Sequence, residues 1–294
     1  MIPRETLERD FRVFVLLSAS ILLLEVAGGM LTNSLALLSD SFHVLTDLVS
    51  LLLAYFSIHI ARRSANRRFT FGYYRAEIIS AAVNGALLIF IASYIFYSAY
   101  LRFLHPASIR SGEMLIISTI GLAANAYVAV RMQRSVKGNL NVRGAYIHVL
   151  SDTLSSIGVV IGGVIIAVTG ITLVDPVISV MIGCFILSNS LPLVKESLLI
   201  LMEGSPKGID IKNIENDIKR IDGVKGVHDV HVWSISSDIY ALSSHVIVDS
   251  TAEINRIVSD INRMLKEKYN IAHATIQCEC ERCVNEKEIK DMRD

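Results

Sequence analysis

Two stretches of this sequence repeat one arrangement. SLALLSDSFHVLTDLVS sets His43 four residues before Asp47, and GAYIHVLSDTLSS sets His148 four residues before Asp152. On an α-helix, side chains four apart stand on one face, so each stretch offers an imidazole and a carboxylate to one point in space. Two such helices facing each other supply two nitrogens and two carboxylate oxygens, a set that suits tetrahedral Zn2+ at about 2.0–2.2 Å. The two Asp charges also cancel those of a divalent ion, which a low-dielectric setting demands. The competing reading is structural: each His bonds its own Asp and the pair ties helices together. Asp40, seven residues before Asp47 on the same face, reads as an outer or access carboxylate. Glu25 reads as a polar packing residue.

Composition says what must hold these residues. The chain has 294 residues, 52% hydrophobic and 19% charged, with a mean hydropathy of +0.49, too apolar for an ordinary soluble domain of this length. Apolar segments run at about 13–33, 35–60, 77–103, 114–133, 144–169 and 173–195, which predicts six membrane crossings. Each is near the ~20 residues that span ~30 Å of hydrocarbon. Both H-x-x-x-D pairs fall inside such segments, the second and the fifth. A carboxylate near the bilayer centre costs ~2.5–3.5 kcal/mol even on the gentlest insertion scale, so ionisable residues there are functional by default. The opening MIPRETLERD mixes acids and bases, and no cleaved signal is expected.

Basic residues set the expected orientation. Arg62, Arg63, Arg67, Arg68 and Arg75 fall between the second and third segments, and Arg131, Arg134, Lys137 and Arg143 around the connection of the fourth and fifth. These loops are predicted to face the cytoplasm, with both termini on the same side; the membrane is the cell (inner) membrane if the source is prokaryotic. Lys and Arg together number 28 against 28 acids, which excludes a polybasic nucleic-acid binder.

After Pro206 no span-length apolar run remains. Ile209–Ile221 and Ala252–Tyr269 have helical spacing, while Gly226–Ile235, Ile239–Val248 and Ala274–Cys278 read as strands. The order α-β-β-α-β predicts a small ferredoxin-like α+β domain with an antiparallel sheet under two helices. The expected division is 1–206 for a transmembrane domain, 207–280 for the α+β domain and 281–294 for a short tail. His228, His231 and His245 lie on the strands, and simple alternation sends His228 and His231 to opposite faces. Cys280 and Cys283 form a lone C-x-x-C beside Cys278, a spacing that suits soft-metal thiolates and equally suits free thiols. Cys184 and Trp233 read as packing residues.

A closed set of four ligands, with no H-E-x-x-H and no evident nucleophile, is poorly suited to hydrolysis, where zinc needs an open position for water. The chain is therefore not expected to be an enzyme. A carrier fits better, because it must bind an ion reversibly at mid-membrane. Protons compete with metal for imidazole and carboxylate, which implies antiport with His43 and His148 as the leading proton-coupled ligands. A membrane-tethered zinc sensor is the alternative. No G-x-x-x-x-G-K-[ST] occurs, so ATP is not the expected energy source.

The chain resembles the cation diffusion facilitator family, and its proton-coupled zinc exporters in particular, over nearly its whole length. The resemblance rests on NSLALLSDSFHVLTD at 33–47, FGYYRAE at 71–77, LNVRGAYIHVLSD at 140–152, VDP at 174–176, LMEGSP at 201–206 and VHDVHVWSIS at 227–236. It implies six spans with a cytosolic ferredoxin-like domain, a homodimer, and His43, Asp47, His148 and Asp152 as the transport site. Zn2+ is the implied cargo, with Cd2+, Co2+ or Ni2+ sharing the path. His228, His245 and Glu279 resemble the regulatory zinc site of the cytosolic domain, which some relatives complete with tail cysteines matching Cys280 and Cys283. Where some relatives carry loop ligands before the third span, this chain has Asn66, Phe69 and Tyr73, so that auxiliary site is expected to be missing. SVKGNLNVRG likewise lacks the histidine-rich run of many zinc members.

Overall fold

The structure is a computed structural model that describes the backbone of residues 4–133, 140–249 and 253–279. Side chains are described for 17–50, 52–130, 149–150, 152–249 and 253–279. By contact the chain divides into two compact units, Met1–Tyr55 with Val83–Val194, and Phe56–Ala82 with Lys195–Asp294.

Six long helices come first: α1 (Arg4–Thr32), α2 (Leu35–Ala61), α3 (Arg75–Leu104), α4 (Ser111–Gln133), α5 (Leu140–Thr169) and α6 (Val174–Leu201). Among the described residues five of them carry a stretch long and apolar enough to cross a bilayer, and the described apolar part of α1 is Leu17–Thr32. The first unit inverts the sorting of a soluble protein. Leu23, Phe90, Val168 and Met181 are more than 65% exposed, while Glu25, Ser34, Ser39, Asp40, His43, Thr46, Ser118, Asn125, Ser156 and Asp175 are buried. Large apolar side chains on the outside are stable only against lipid, and polar groups withdraw from lipid into the bundle. A smaller apolar core sits between them, built on Leu37, Ile95, Met114, Val159, Ile182 and Ile186. The α4–α5 and α1–α4 pairs make the most extensive interhelical contacts. Helices approach closely where a glycine faces a neighbour: a Cβ on Gly162 would lie 2.2 Å from Ile178 Cδ1.

In the second unit, α7 (Ile211–Lys219), β1 (Val224–Ser236), β2 (Ile239–Val248), α8 (Ile254–Tyr269) and β3 (Ile271–Glu279) follow the expected α-β-β-α-β order. Asp210 caps α7 by accepting from the Lys212 amide at 2.9 Å. Helix α8 buries Ile257, Ile261 and Leu265, spaced by four, against Leu242, Val246 and Val248 of β2 and Ile214 and Ile218 of α7. Each such side chain contributes about 1.5–3 kcal/mol when fully buried. Asn270, in the left-handed conformation with φ 55°, ends α8 and turns the chain straight into β3. The strand therefore begins at Ile271, three residues before the position read from the sequence.

Two expectations about the sheet are corrected. The sheet order is β1-β2-β3, and β1 and β2 pair antiparallel, but β2 and β3 are parallel. The reason is the connection: α8 crosses over between β2 and β3, and a helical crossover returns the chain in the same direction. The second correction is a β-bulge between His228 and His231, where three steps along β1 match two along β2, from His245 to Ser243. The extra residue cancels the alternation and brings His228 and His231 to one face.

Candidate metal centres

Side chains from α2 and α5 converge inside the first unit. His43 Nε2 lies 3.3 Å from Asp152 Oδ1. One ligand atom each from His43, Asp47 and Asp152 falls within 4.8 Å of the others, close enough for a single cation to touch all three. His43 is 6% exposed, and Phe185 of α6 stands edge-on to its ring at 5.8 Å. The i, i+4 spacing on α2 does what the sequence requires of it, aiming His43 and Asp47 the same way. His148 precedes Asp152 by one turn on α5, but its side chain lies outside the described residues, as do those of Arg131, Arg134, Lys137 and Arg143. One nitrogen and two carboxylates form a hard-to-borderline donor set that suits a divalent transition metal.

Around this cluster lies a polar shell. Asp40, 3% exposed, accepts from Ser155 Oγ at 2.6 Å and Ser156 Oγ at 3.0 Å. Asn125 of α4 donates to Ser156 Oγ at 3.2 Å. Asp40 is thus a carboxylate held by α5, and it belongs to no ligand cluster among the described residues.

Asp175, near the start of α6, carries a function that sequence reasoning missed. It is fully buried and accepts from Ser34 Oγ at 2.6 Å, from the Leu35 and Ala36 amides at 2.8 and 3.1 Å, and from Arg102 Nη1 at 3.0 Å. A carboxylate from α6 therefore caps the N-terminus of α2, where the orphan amides and the helix dipole favour negative charge. Arg102 of α3 also donates to the Asn33 carbonyl at 2.6 Å. This knot fixes the start of the helix that bears His43 and Asp47. The only signal in the sequence was the VDP motif, which says nothing about a partner 140 residues away.

The second cluster occupies the sheet face opposite α7 and α8. His228 pairs with His245 across β1 and β2, and Glu279 arrives from β3. His245 Nδ1 is 2.7 Å from Glu279 Oε1, His228 Nε2 is 3.6 Å from Glu279 Oε2, and the two rings are 5.2 Å apart. Ligand atoms of the three fall within 4.8 Å of one another, so the residues present fit a bound cation. The bulge adds a carboxylate that the sequence did not reveal. Asp229, at φ 52°, bonds His231 Nε2 at 2.9 Å and sits 3.7 Å from His245 Nε2. His231, on a side chain 48% exposed, stands outside the three-residue cluster.

Cys278 takes no part: it packs against the helix-covered core, and burial pushes its thiol up, away from the thiolate form that binds metal. Cys280 and Cys283 lie outside the described residues. In the loop before α3, Asn66 Oδ1 accepts the Arg68 and Phe69 amides at 2.9 Å, and its Nδ2 donates to Tyr73 at 2.8 Å. An Asn-centred turn that includes Arg67 and Arg68 occupies this loop.

Known families and proteins share this plan. Residues 11–202 match the family described as the cation efflux transmembrane domain, and residues 206–281 match the cation efflux protein cytoplasmic domain. The chain is 41% identical over 277 residues to the metal cation efflux system protein CzcD of Cupriavidus metallidurans, covering 94% of this chain and 88% of the relative. It is 43% identical over 265 residues to the cadmium, cobalt and zinc/H(+)-K(+) antiporter of Bacillus subtilis, covering 88% and 85%. To the zinc transporter ZitB of Escherichia coli it is 37% identical over 268 residues, covering 90% and 85%. With two family matches end to end and a membrane bundle whose buried polar residues gather around His43, Asp47 and Asp152, this chain belongs to the cation efflux, or cation diffusion facilitator, family of multi-pass metal cation transporters.

Proposed function

We propose that the protein is a proton-coupled antiporter that exports divalent cations from the cytoplasm, with Zn2+ as its preferred cargo and Cd2+, Co2+ and Ni2+ as competitors. The observation that carries this reading is the meeting of His43, Asp47 and Asp152 between two membrane helices. His148 completes the set as the fourth ligand. Imidazole and carboxylate each bind either a proton or a metal, so a cation entering from the cytoplasm displaces protons and protons returning from outside displace the cation. Two relatives named for zinc, one of them for proton exchange, support the cargo and the counter-ion.

In this reading both termini and the α+β domain face the cytoplasm of the cell's inner membrane, and the protein works as a homodimer. Cation bound by His228, His245 and Glu279 regulates export by holding the three strands of the sheet in one register, while Cys280 and Cys283 serve as auxiliary ligands from the tail. The test is flux in proteoliposomes with zinc on one side and an imposed pH difference. Zinc and protons should move in opposite directions in a fixed ratio. Zinc movement indifferent to the pH difference would overturn the antiport, and zinc binding with no movement at all would favour a membrane-tethered sensor.

A further inference from the structure

Glu25, midway along the described apolar part of α1 (Leu17–Thr32), is 1% exposed, and neither of its carboxylate oxygens meets a hydrogen-bond partner among the described residues. Asp40, buried to the same degree, is satisfied by two serine hydroxyls. The contrast is chemical. An ionised carboxylate left dry and unpaired is among the costliest groups a fold can hold, and such a group ordinarily resolves the cost by taking a proton.

Among the described residues, the carboxylates near Glu25 are Asp40 of α2 and Asp152 of α5. His43 stands next to Asp152, at 3.3 Å. From α4, which packs along α1, Glu25 meets Gly121, and the nearby Ser118 and Asn125 are uncharged. The acid of α4, Glu113, lies eight residues from Gly121, about 12 Å along the helix. A Cβ at Gly121 would fall 2.4 Å from Glu25 Oε1, so the glycine leaves the carboxyl the room it occupies.

We propose that Glu25 is a proton-binding site of the exchange, separate from the metal ligands. When a divalent cation settles between His43, Asp47 and Asp152, its charge offsets that of Asp152, and the Glu25 carboxyl can lose its proton to the cytoplasm. When the cation leaves, the carboxylate takes one proton from the outer side, and its O–H bond reforms. Each cycle breaks and makes that one bond and needs no reactant besides the proton. The two binding events oppose each other through space without a shared ligand, and the coupling is reciprocal. This inference rests on the antiport reading above.

The test measures zinc and proton fluxes together in proteoliposomes holding the full chain, with wild type, Glu25→Gln and Glu25→Asp in parallel. Gln keeps the shape and cannot ionise. The expected result is a ratio lower by one proton per zinc for Glu25→Gln, with the wild-type ratio kept by Glu25→Asp. An unchanged ratio in Glu25→Gln alongside wild-type proton flux overturns the role of Glu25 and leaves the antiport reading intact. Equal loss of all flux in both variants assigns Glu25 to packing and also overturns it. A wild type that moves zinc and no protons sinks both readings.

Discussion

The two clusters use nearly the same parts in opposite settings. His43, Asp47 and Asp152 draw on two helices inside a membrane bundle, whereas His228, His245 and Glu279 draw on three strands of a small sheet. The membrane cluster holds two carboxylates to one described imidazole, and the sheet cluster reverses that count. On the proposed reading the difference follows from where each cluster sits. A dication within a bilayer needs opposite charge from the protein itself, whereas at the sheet, where the His245 side chain is 24% exposed, imidazoles can supply more of the set. On that reading the membrane cluster is the less tolerant of losing a carboxylate.

That contrast can be broken in four places. The largest effect is expected from Asp47→Ala or Asp152→Ala. Loss of outer partners of a metal typically costs 10–100-fold, so loss of a ligand in lipid should cost at least ~100-fold in zinc flux. Zinc binding by the sheet cluster should persist in the same variants, and isothermal titration of each in detergent checks this. Next comes Asp175→Ala, which uncaps α2 and leaves Arg102 facing an empty site. Removing one member of a buried pair costs about 3–5 kcal/mol, and the lower end is expected because Arg102 keeps 18% of its side chain exposed. Thermal unfolding in detergent should show it, and Asp175→Asn should fall between.

His245→Ala should weaken zinc binding at the sheet by roughly 10–100-fold and slow export while leaving it saturable, since the sheet cluster lies outside the helices that carry His43 and Asp152. The smallest effect is one of pH. Lys268, which makes a short contact with Asp217, and Tyr269 hold the Asp217 carboxyl below its usual range. A depressed folded value means that the contribution is present above the unfolded carboxylate range and disappears as pH falls through the folded value. Tyr269, raised to about 12 by burial and by Asp217, behaves in the reverse sense. Its contribution is whole below the ordinary tyrosine range and is lost as pH rises through about 12. Denaturation of the full chain against pH should flatten in the acid window for Asp217→Asn and in the alkaline window for Tyr269→Phe.

What the sequence disclosed is what short-range periodicity controls. The apolar runs, the i, i+4 pairing of His43 with Asp47 and the α-β-β-α-β order each depend on residues within a few turns of one another. The parallel pairing of β3 and the bulge at Asp229 depend instead on register against another strand, and no local pattern states it. Asp175 shows the same limit, for its partners Ser34, Leu35 and Ala36 precede it by 139–141 residues. Glu25 was visible as a charge in an apolar run, but only the packing of α1 on α4 reveals that its oxygens lack partners.

The most direct test is the position of zinc itself. Crystals or grids of the full chain in a lipid environment, soaked with zinc and measured across the zinc absorption edge or against a chelated control, should show one ion about 2.0–2.2 Å from His43, Asp47 and Asp152. Zinc confined to His228, His245 and Glu279, with His43 Nε2 still 3.3 Å from Asp152 and no ion between α2 and α5 at saturating metal, would contradict the account.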